Sequence, residues 1–386
     1  MDSGNMWIDR IALFKFIDAT VGATLCRILG RLNFLTGRES CIADIRPESI
    51  RRILVIRPGG MGDMIVLLPV IATLQNRFPD AMIDLVCEKR NIEVLTLGSM
   101  KKSAMVYDTN SFRFLRLLVR RKYDVAVDTE QFHHFSAVFA LISGAPIRIG
   151  FKINPYRNPL YTHLVNYLPD GPEGEQFMKL LEPLGIRDAR YSLQGILSDL
   201  DLRLPTAIEA DIGQLFGSGS FAVIHPGSST VYKLWQTENF VKLAQLLHEK
   251  LGLGIVFAGN NNDGKVSAQI LKVVNKTGCR TLSYVGKLNL TTTAAVMKRA
   301  RLFIGADSGL AHLAVALGLP TVVLFGPSDH LKWGIEDARH AVVRKNLPCS
   351  PCFIFGYHKP CRMIACMKQI SVDDVLAACR RVLPHS

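Results

Sequence analysis

Ile53-Leu54-Val55-Ile56-Arg57-Pro58-Gly59-Gly60-Met61-Gly62-Asp63 is the stretch on which the fold turns. The aliphatic run reads as a strand, the glycines as a tight turn, and the periodic segment from Ile65 to Phe78 as a helix. Strand, glycine turn and helix open a βαβ unit. Working outward, Ala81 to Cys87 reads as a second strand, Ala104 to Tyr107 as a third, Phe112 to Arg121 as a helix and Tyr123 to Val127 as a fourth strand. Such alternation predicts a parallel sheet with helices on both faces. The same opening returns at Phe221-Ala222-Val223-Ile224-His225-Pro226-Gly227-Ser228. After it come a helix from Glu238 to Lys250, a strand from Gly254 to Ala258, a helix from Thr292 to Arg299, a strand from Leu302 to Gly305, a helix from Leu310 to Leu317 and a strand from Thr321 to Phe325. Between the halves, residues 196–219 carry Asp199, Asp201, Pro205, Asp211 and Gly217-Ser218-Gly219, and read as linker and loop. Two doubly wound α/β domains place ligands at their strand ends, so a cleft between the domains is the expected site.

The 386 residues, 48% hydrophobic and 20% charged, suffice for two cores and argue against disorder. A formal charge of +13 implies an anionic partner: a nucleotide, a phosphorylated lipid, a membrane surface or nucleic acid. Before the first strand, Ile8, Ile11, Leu13, Phe14, Ile17, Val21, Leu25, Ile28, Leu29 and Leu32 recur at helical spacing among basic residues. This amphipathic preface either packs on the next domain or lies on an anionic membrane. Lys15, Asp18, Arg27 and Arg31 break it as a spanning helix, and Lys15 and Asp18 as a signal peptide. Nine cysteines, an odd number, fit free thiols in a reducing cytoplasm.

Gly59, Gly60 and Gly62 clear side chains from the strand-to-helix turn, so backbone N–H groups and the helix dipole can face a phosphate. The loop has neither the Gly-Lys-Ser/Thr of a P-loop nor the G-x-G-x-x-G spacing of dinucleotide folds, although Glu88 stands where a ribose-binding acid would. Asp63, just past the turn, can accept a proton from an attacking hydroxyl; otherwise it is a first-turn aspartate that stabilises its helix. In the second half, His225-Pro226-Gly227-Ser228-Ser229 is followed by Lys233, whose cation suits a diphosphate, and by Trp235. Gly305-Ala306-Asp307-Ser308-Gly309-Leu310-Ala311-His312 joins a small-residue turn to a helix start, with Asp307 or Ser308 as the cap, Gly309 leaving amides open and His312 one turn in. Phe325-Gly326-Pro327-Ser328 adds another polar strand-end loop. Cys349-x2-Cys352-x8-Cys361-x4-Cys366 leaves two readings open, a tetrahedral zinc site or a reduced structural cluster. Asp199-Leu200-Asp201 has the spacing of an acidic metal pair but falls in the linker, so no metal and no cofactor is assigned to the chemistry.

From about Arg51 to its end the chain resembles glycosyltransferase family 9, the ADP-heptose:lipopolysaccharide heptosyltransferases. The resemblance lies in ILVIRPGGMGD (Ile53 to Asp63), IHPGSSTVYKLW (Ile224 to Trp235), GADSGLAHLA (Gly305 to Ala314), LFGPS (Leu324 to Ser328) and the late cysteines, in family order. It implies a GT-B fold with an extension over 1–50, an acceptor domain over 51–205, a nucleotide-sugar donor domain over 206–370 and a last helix over 371–386 able to return to the first domain. It further implies an inverting transfer without a catalytic metal, with Asp63 as general base. Gly59, Gly60, Gly62, His225, Gly227, Ser228, Lys233, Asp307, Ser308, Gly309 and His312 are then donor-binding. The donor implied is ADP-heptose or another ADP-sugar, and the acceptor a phosphorylated lipopolysaccharide core or lipid A-Kdo. The place implied is the cytoplasm, with peripheral contact at the inner membrane and no nucleic acid.

Three alternatives differ in class. A glycosyltransferase using another nucleotide sugar keeps the fold. An NAD-dependent nucleotide-sugar oxidoreductase or epimerase shares the α/β architecture but wants G-x-G-x-x-G and a Tyr-x-x-x-Lys pair, both missing. A nucleic-acid module follows from charge alone, and 8% aromatic residues at core-like positions argue against base stacking.

Overall fold

The computed structural model describes residues 13, 15–35, 47–98, 102–354, 357–358 and 361–383. Ile8, Ile11 and Phe14 of the preface fall outside these. The chain forms two compact units, Met1–Ser192 and Leu193–Ser386.

In the first unit, β1 (Arg52–Ile56), β2 (Met82–Cys87), β3 (Lys102–Val106), β4 (Val125–Asp128), β5 (Ile147–Phe151) and β6 (His163–Val165) form one parallel sheet in the order β3-β2-β1-β4-β5-β6. Ile53 to Ile56 are fully buried, which is why β1 reads as an unbroken apolar run rather than an alternating one. In the second unit, β7 (Phe221–His225), β8 (Gly254–Phe257), β9 (Thr281–Ser283), β10 (Leu302–Ala306), β11 (Thr321–Phe325) and β12 (His340–Arg344) form the order β12-β11-β10-β7-β8-β9, again parallel. Each sheet is wound outward from its first strand, then restarts on that strand's other side. The strand order therefore reverses between β1 and β4 and between β7 and β10, where doubly wound sheets bind ligands.

The preface is helical: a π turn at Asp18–Gly22 runs into α1 (Ala23–Leu35). Glycine turn and helix follow β1, but the helix starts earlier than its periodicity suggests and breaks once, as α2 (Met61–Val66) and α3 (Leu68–Arg77), with Pro69 in the first turn of α3. After β3 and β4 come α4 (Ser111–Arg120) and α5 (His134–Ile142). Both connections run the same way across the sheet, so right-handed crossovers put both helices on one face. Cys26 of α1, Phe114 and Leu118 of α4, and Ala137 and Phe139 of α5 share one buried cluster there. Asp18 fastens the preface by accepting the N–H groups of His134 (2.9 Å) and Phe135 (2.8 Å) at the start of α5.

Two expectations are corrected. Residues 196–219 hold a helix, α6 (Thr206–Phe216), begun after Pro205 and packed through Ile212 and Phe216. The second unit starts earlier than residue 206: Gly195 N and Leu197 N bond Val315 O and Ala316 O, tying this segment to it. The last helix, α9 (Val372–Val382), packs within the second unit. Its Val375, Leu376, Cys379 and Val382 join the core that contains Phe240 and Leu243 of α7 (Thr237–Leu251). The helix between α7 and α9 that matters for the site is α8 (Gly309–Ala316), which follows β10.

Candidate active site

In the first unit the carboxyl ends of β1 and β4 lie side by side, with Ile56 in register with Asp128. Gly59, at φ +130°, takes a conformation that L side chains rarely adopt and turns the chain into α2. Gly60 is the N-cap, Gly62 the second helical residue, and Asp63 falls in the first turn. One Asp63 oxygen accepts Gly60 N–H at 2.8 Å and the other accepts Arg57 Nη2 at 2.9 Å, with the side chain 29% exposed. Asp63 thus does the structural work of a helix-start acid and still reaches solvent. Burial would raise its pKa, but the Arg57 charge, Gly60 N–H and the Arg90 charge prevail and hold it below the ordinary carboxylate value.

Arg57 is buried and shared. Its Nη1 lies 3.2 Å from Glu130 and donates to Thr129 O at 2.9 Å, while its guanidinium stacks 4.6 Å from the Phe177 ring. Burial raises the Glu130 pKa more than Arg57 lowers it. Glu88, where the ribose-binding acid of a dinucleotide fold would stand, accepts the Tyr107 hydroxyl at 2.8 Å and pairs with Arg90. Beneath the site Arg157 bonds Asp128 at 3.0 Å, and Tyr161 donates to the same oxygen at 2.6 Å.

In the second unit the ends of β7 and β10 meet, with His225 in register with Gly305. The buried His225 ring lies 3.2 Å (Nε2) from Asp263 and 3.1 Å (Nδ1) from Ser308 Oγ. With the neutral ring's hydrogen on Nε2, facing the Asp263 carboxylate, Nδ1 accepts from Ser308. Ser308 and Asp307 therefore do not cap α8 as expected. Ser308 stands at the N-cap without a side-chain bond to the helix start; Ala311 N–H bonds Ser308 O, and the amides of Gly309 and Leu310 stay open to an anion. Asp307 instead accepts Lys233 Nζ at 2.6 Å, with both side chains 10% exposed. Burial raises Asp307, but Lys233 and then His312, 3.9 Å away, outweigh it and hold the carboxyl low. Lys233 also lies 4.8 Å from the centre of the Phe353 ring. Trp235, its neighbour, is core: it is buried, and its Nε1 donates to Ile370 O. Gly227 has no room for a side chain, because a Cβ would fall 1.8 Å from Asp263 Oδ1. Ser228 accepts Thr230 N–H at 3.3 Å and is partly exposed. A recess beside the ion pair is lined by Asp307, Ala311, His312, Phe325 and Trp333.

All donor candidates of the second half thus surround one strand-end reversal. Sequence reading missed Arg57 as a partner, although it stands in the quoted motif, and missed Glu130, Asp263 and Phe353. The run Gly259-Asn260-Asn261-Asn262-Asp263 after β8 was a legible signal for Asp263: an acid closing a polar strand-end turn. Of the late cysteines, Cys349 and Cys361 are exposed and Cys366 buried, and among the described residues no group of three or more His, Cys, Asp or Glu could hold a metal ion.

The model of glycosyltransferase family 9 (heptosyltransferase) matches residues 111–363, more than half of the chain. The chain belongs to glycosyltransferase family 9. It is an enzyme, a glycosyltransferase, and its two sheets have the GT-B fold. This family 9 chain is 27% identical over 301 residues to lipopolysaccharide heptosyltransferase 3 of Escherichia coli, covering 70% of this chain and 82% of that protein. It superposes on the solved structure of the E. coli ADP-heptose lipopolysaccharide heptosyltransferase II with TM-score 0.67 at 21% identity, covering 86% of this chain and 98% of that one. A structure of an E. coli heptosyltransferase with ADP-2-deoxy-2-fluoro heptose gives TM-score 0.64 at 18% identity, covering 85% and 99%. The family match spans Lys233, Asp307, Ser308 and His312; Asp63 lies before it and stands on its own geometry.

Proposed function

We propose that this family 9 glycosyltransferase moves a heptose from ADP-heptose to a phosphorylated lipopolysaccharide-core acceptor, with inversion and without a catalytic metal. The relatives named above are lipopolysaccharide heptosyltransferases; one of the similar structures is of an enzyme named for ADP-heptose, and another was solved with ADP-2-deoxy-2-fluoro heptose. The observation that carries the donor half is the buried Lys233–Asp307 pair beside the uncapped start of α8. A diphosphate there exchanges the Asp307 carboxylate for its own oxygens on Lys233 and occupies the open amides. The Ser308 hydroxyl, its hydrogen committed to His225, offers lone pairs to a sugar or ribose hydroxyl. Another nucleotide sugar at the same groups is the alternative.

In the acceptor half, Asp63 takes the proton of the attacking hydroxyl as that oxygen bonds the anomeric carbon. The bond from this carbon to the β-phosphate oxygen breaks with its electron pair, and ADP leaves toward Lys233 and the helix amides. Arg57 keeps Asp63 ionised beforehand. Because Arg57 also touches Glu130, protonating Asp63 does not strand a buried cation. The proposed setting is the cytoplasmic face of the inner membrane, where the acceptor lipid is anchored; among the described residues no helix is long and apolar enough to cross a membrane.

Titration calorimetry of ADP-, UDP- and GDP-sugars, ADP-heptose included, tests the donor without added divalent metal. Selective binding of ADP-heptose that fails in Lys233→Ala supports the reading. Preference for another nucleotide sugar retires heptose and keeps the reaction class.

A further inference from the structure

We propose that the outward faces of α1 and α4 form one docking surface for an anionic lipid bilayer. On α4, Phe112 is 79% exposed, Val119 58% and Leu115 39%. Spaced by three and then four residues, they make a single stripe, while Phe114 and Leu118 fill the core on the opposite side. Beside the stripe Arg113, Arg116 and Arg120 repeat the same spacing, all exposed. A helix that has already buried one apolar face has no packing reason to present a second.

The preface makes the same departure. Phe16 is 65% exposed, Val21, Ile28 and Leu32 about half, and Arg27 and Arg31 flank them. Cys26 meanwhile faces the core, and Gly22 lies so close to α5 that a Cβ would come within 2.9 Å of His134 Cβ. No aspartate or glutamate occurs in residues 19–35 or 111–123. Both helices pack on the same face of the first sheet and against the apolar α5, whose Ser136 to Ala140 are buried. Both begin at the strand-end edge: α4 follows β3 directly, and Asp18 ties the preface to the start of α5. The surface therefore borders the edge where Asp63 sits.

Apolar side chains among cations without acids complement an interface of acyl chains below phosphate headgroups. They do not complement a neutral protein groove, nor nucleic acid, which has no use for aliphatic stripes. The occupant assigned is the anionic leaflet itself. This deepens the membrane setting proposed above and does not depend on the identity of the sugar.

The test is co-sedimentation of the full chain with vesicles of phosphatidylcholine alone or containing phosphatidylglycerol, at about 0.1 M and about 0.5 M salt. Wild-type chain is expected on the anionic vesicles only, and less at high salt. Phe112→Ser with Val119→Ser, and separately Arg113→Gln with Arg116→Gln and Arg120→Gln, should each weaken partitioning about tenfold or more, since each cation near such a surface is worth several-fold in affinity. The arginine set keeps every apolar side chain, and a urea unfolding midpoint at the wild-type value separates its loss of binding from unfolding. Equal binding by either variant set overturns the proposal, as does wild-type binding to neutral vesicles alone or to none. A wild-type dimer dispersed by Phe112→Ser with Val119→Ser, without vesicle binding, also overturns it and makes the face a contact between copies. Vesicle binding is read without turnover, so a wrong donor leaves the result standing.

Discussion

Asp63 shows how one carboxylate can serve structure and chemistry at once. Its two oxygens are held by Gly60 N–H and Arg57, which lowers its pKa, so it is ionised throughout the neutral range. The sign follows directly: the pair contributes stability above the ordinary carboxylate pKa of about 4 and loses it as pH falls through the lower folded value. The acid limb of kcat/KM is accordingly expected below about pH 4, read from initial rates on the range of pH where the fold persists. Asp63→Asn should lower kcat by about a hundredfold to ten-thousandfold while donor affinity by calorimetry stays near wild type; turnover near wild type would remove Asp63 from the base role. Lys233 behaves differently, because removing it strands a buried acid. Lys233→Met is expected to cost about 3 kcal/mol or more in denaturant unfolding, and Lys233→Met with Asp307→Asn to regain most of that while ADP-sugar binding stays lost. Recovery of donor binding in the double variant would show that the cation is not needed.

Elements are tied together by single polar groups in ways that periodicity does not reveal. Asp18, in the preface, accepts two amides at the start of α5, more than a hundred residues away in sequence, and those bonds hold its pKa low against burial. Asp18→Ala should cost about 1–2 kcal/mol in urea unfolding, the usual worth of an N-terminal cap, and Asp18→Asn less, since the amide still offers one acceptor. No change in Asp18→Ala would mean that packing around Cys26 alone seats the preface. The strands leading into the two glycine-bearing turns were legible because buried parallel strands are continuous apolar runs; α5 was not, because His134-Phe135-Ser136-Ala137-Val138-Phe139-Ala140-Leu141-Ile142 is apolar all round and has no helical stripe. The helix α6 was hidden for another reason. Pro205 before it and Gly217 after it look like loop residues, but they are its boundary residues. In the site, Asp63, Lys233 and Asp307 were legible from local spacing, whereas Glu130 reaches Arg57 only through the pairing of β1 with β4. Spacing along the chain carries no record of that contact.

At the scale of the whole chain, the two units repeat one winding order, and each places its polar cluster where the order reverses. The charge of +13 acts on top of this arrangement. Raising salt from about 0.05 to about 0.5 M should therefore depress kcat/KM for a phosphorylated acceptor more than for its dephosphorylated form, because screening removes long-range attraction first. Equal salt dependence for both acceptors would place the anionic recognition elsewhere.

The contact between Lys233 and Asp307 also bears on selectivity among small anions. Asp307 is a competitor that cannot diffuse away, so any incoming anion must outbid a carboxylate already seated 2.6 Å from the cation. A lone orthophosphate has little beyond its charge with which to do so, whereas an ADP-sugar adds adenine, ribose and sugar contacts. The enzyme would then be protected from inhibition by cellular phosphate through its own side chain, and Asp307→Asn should turn millimolar phosphate into an inhibitor.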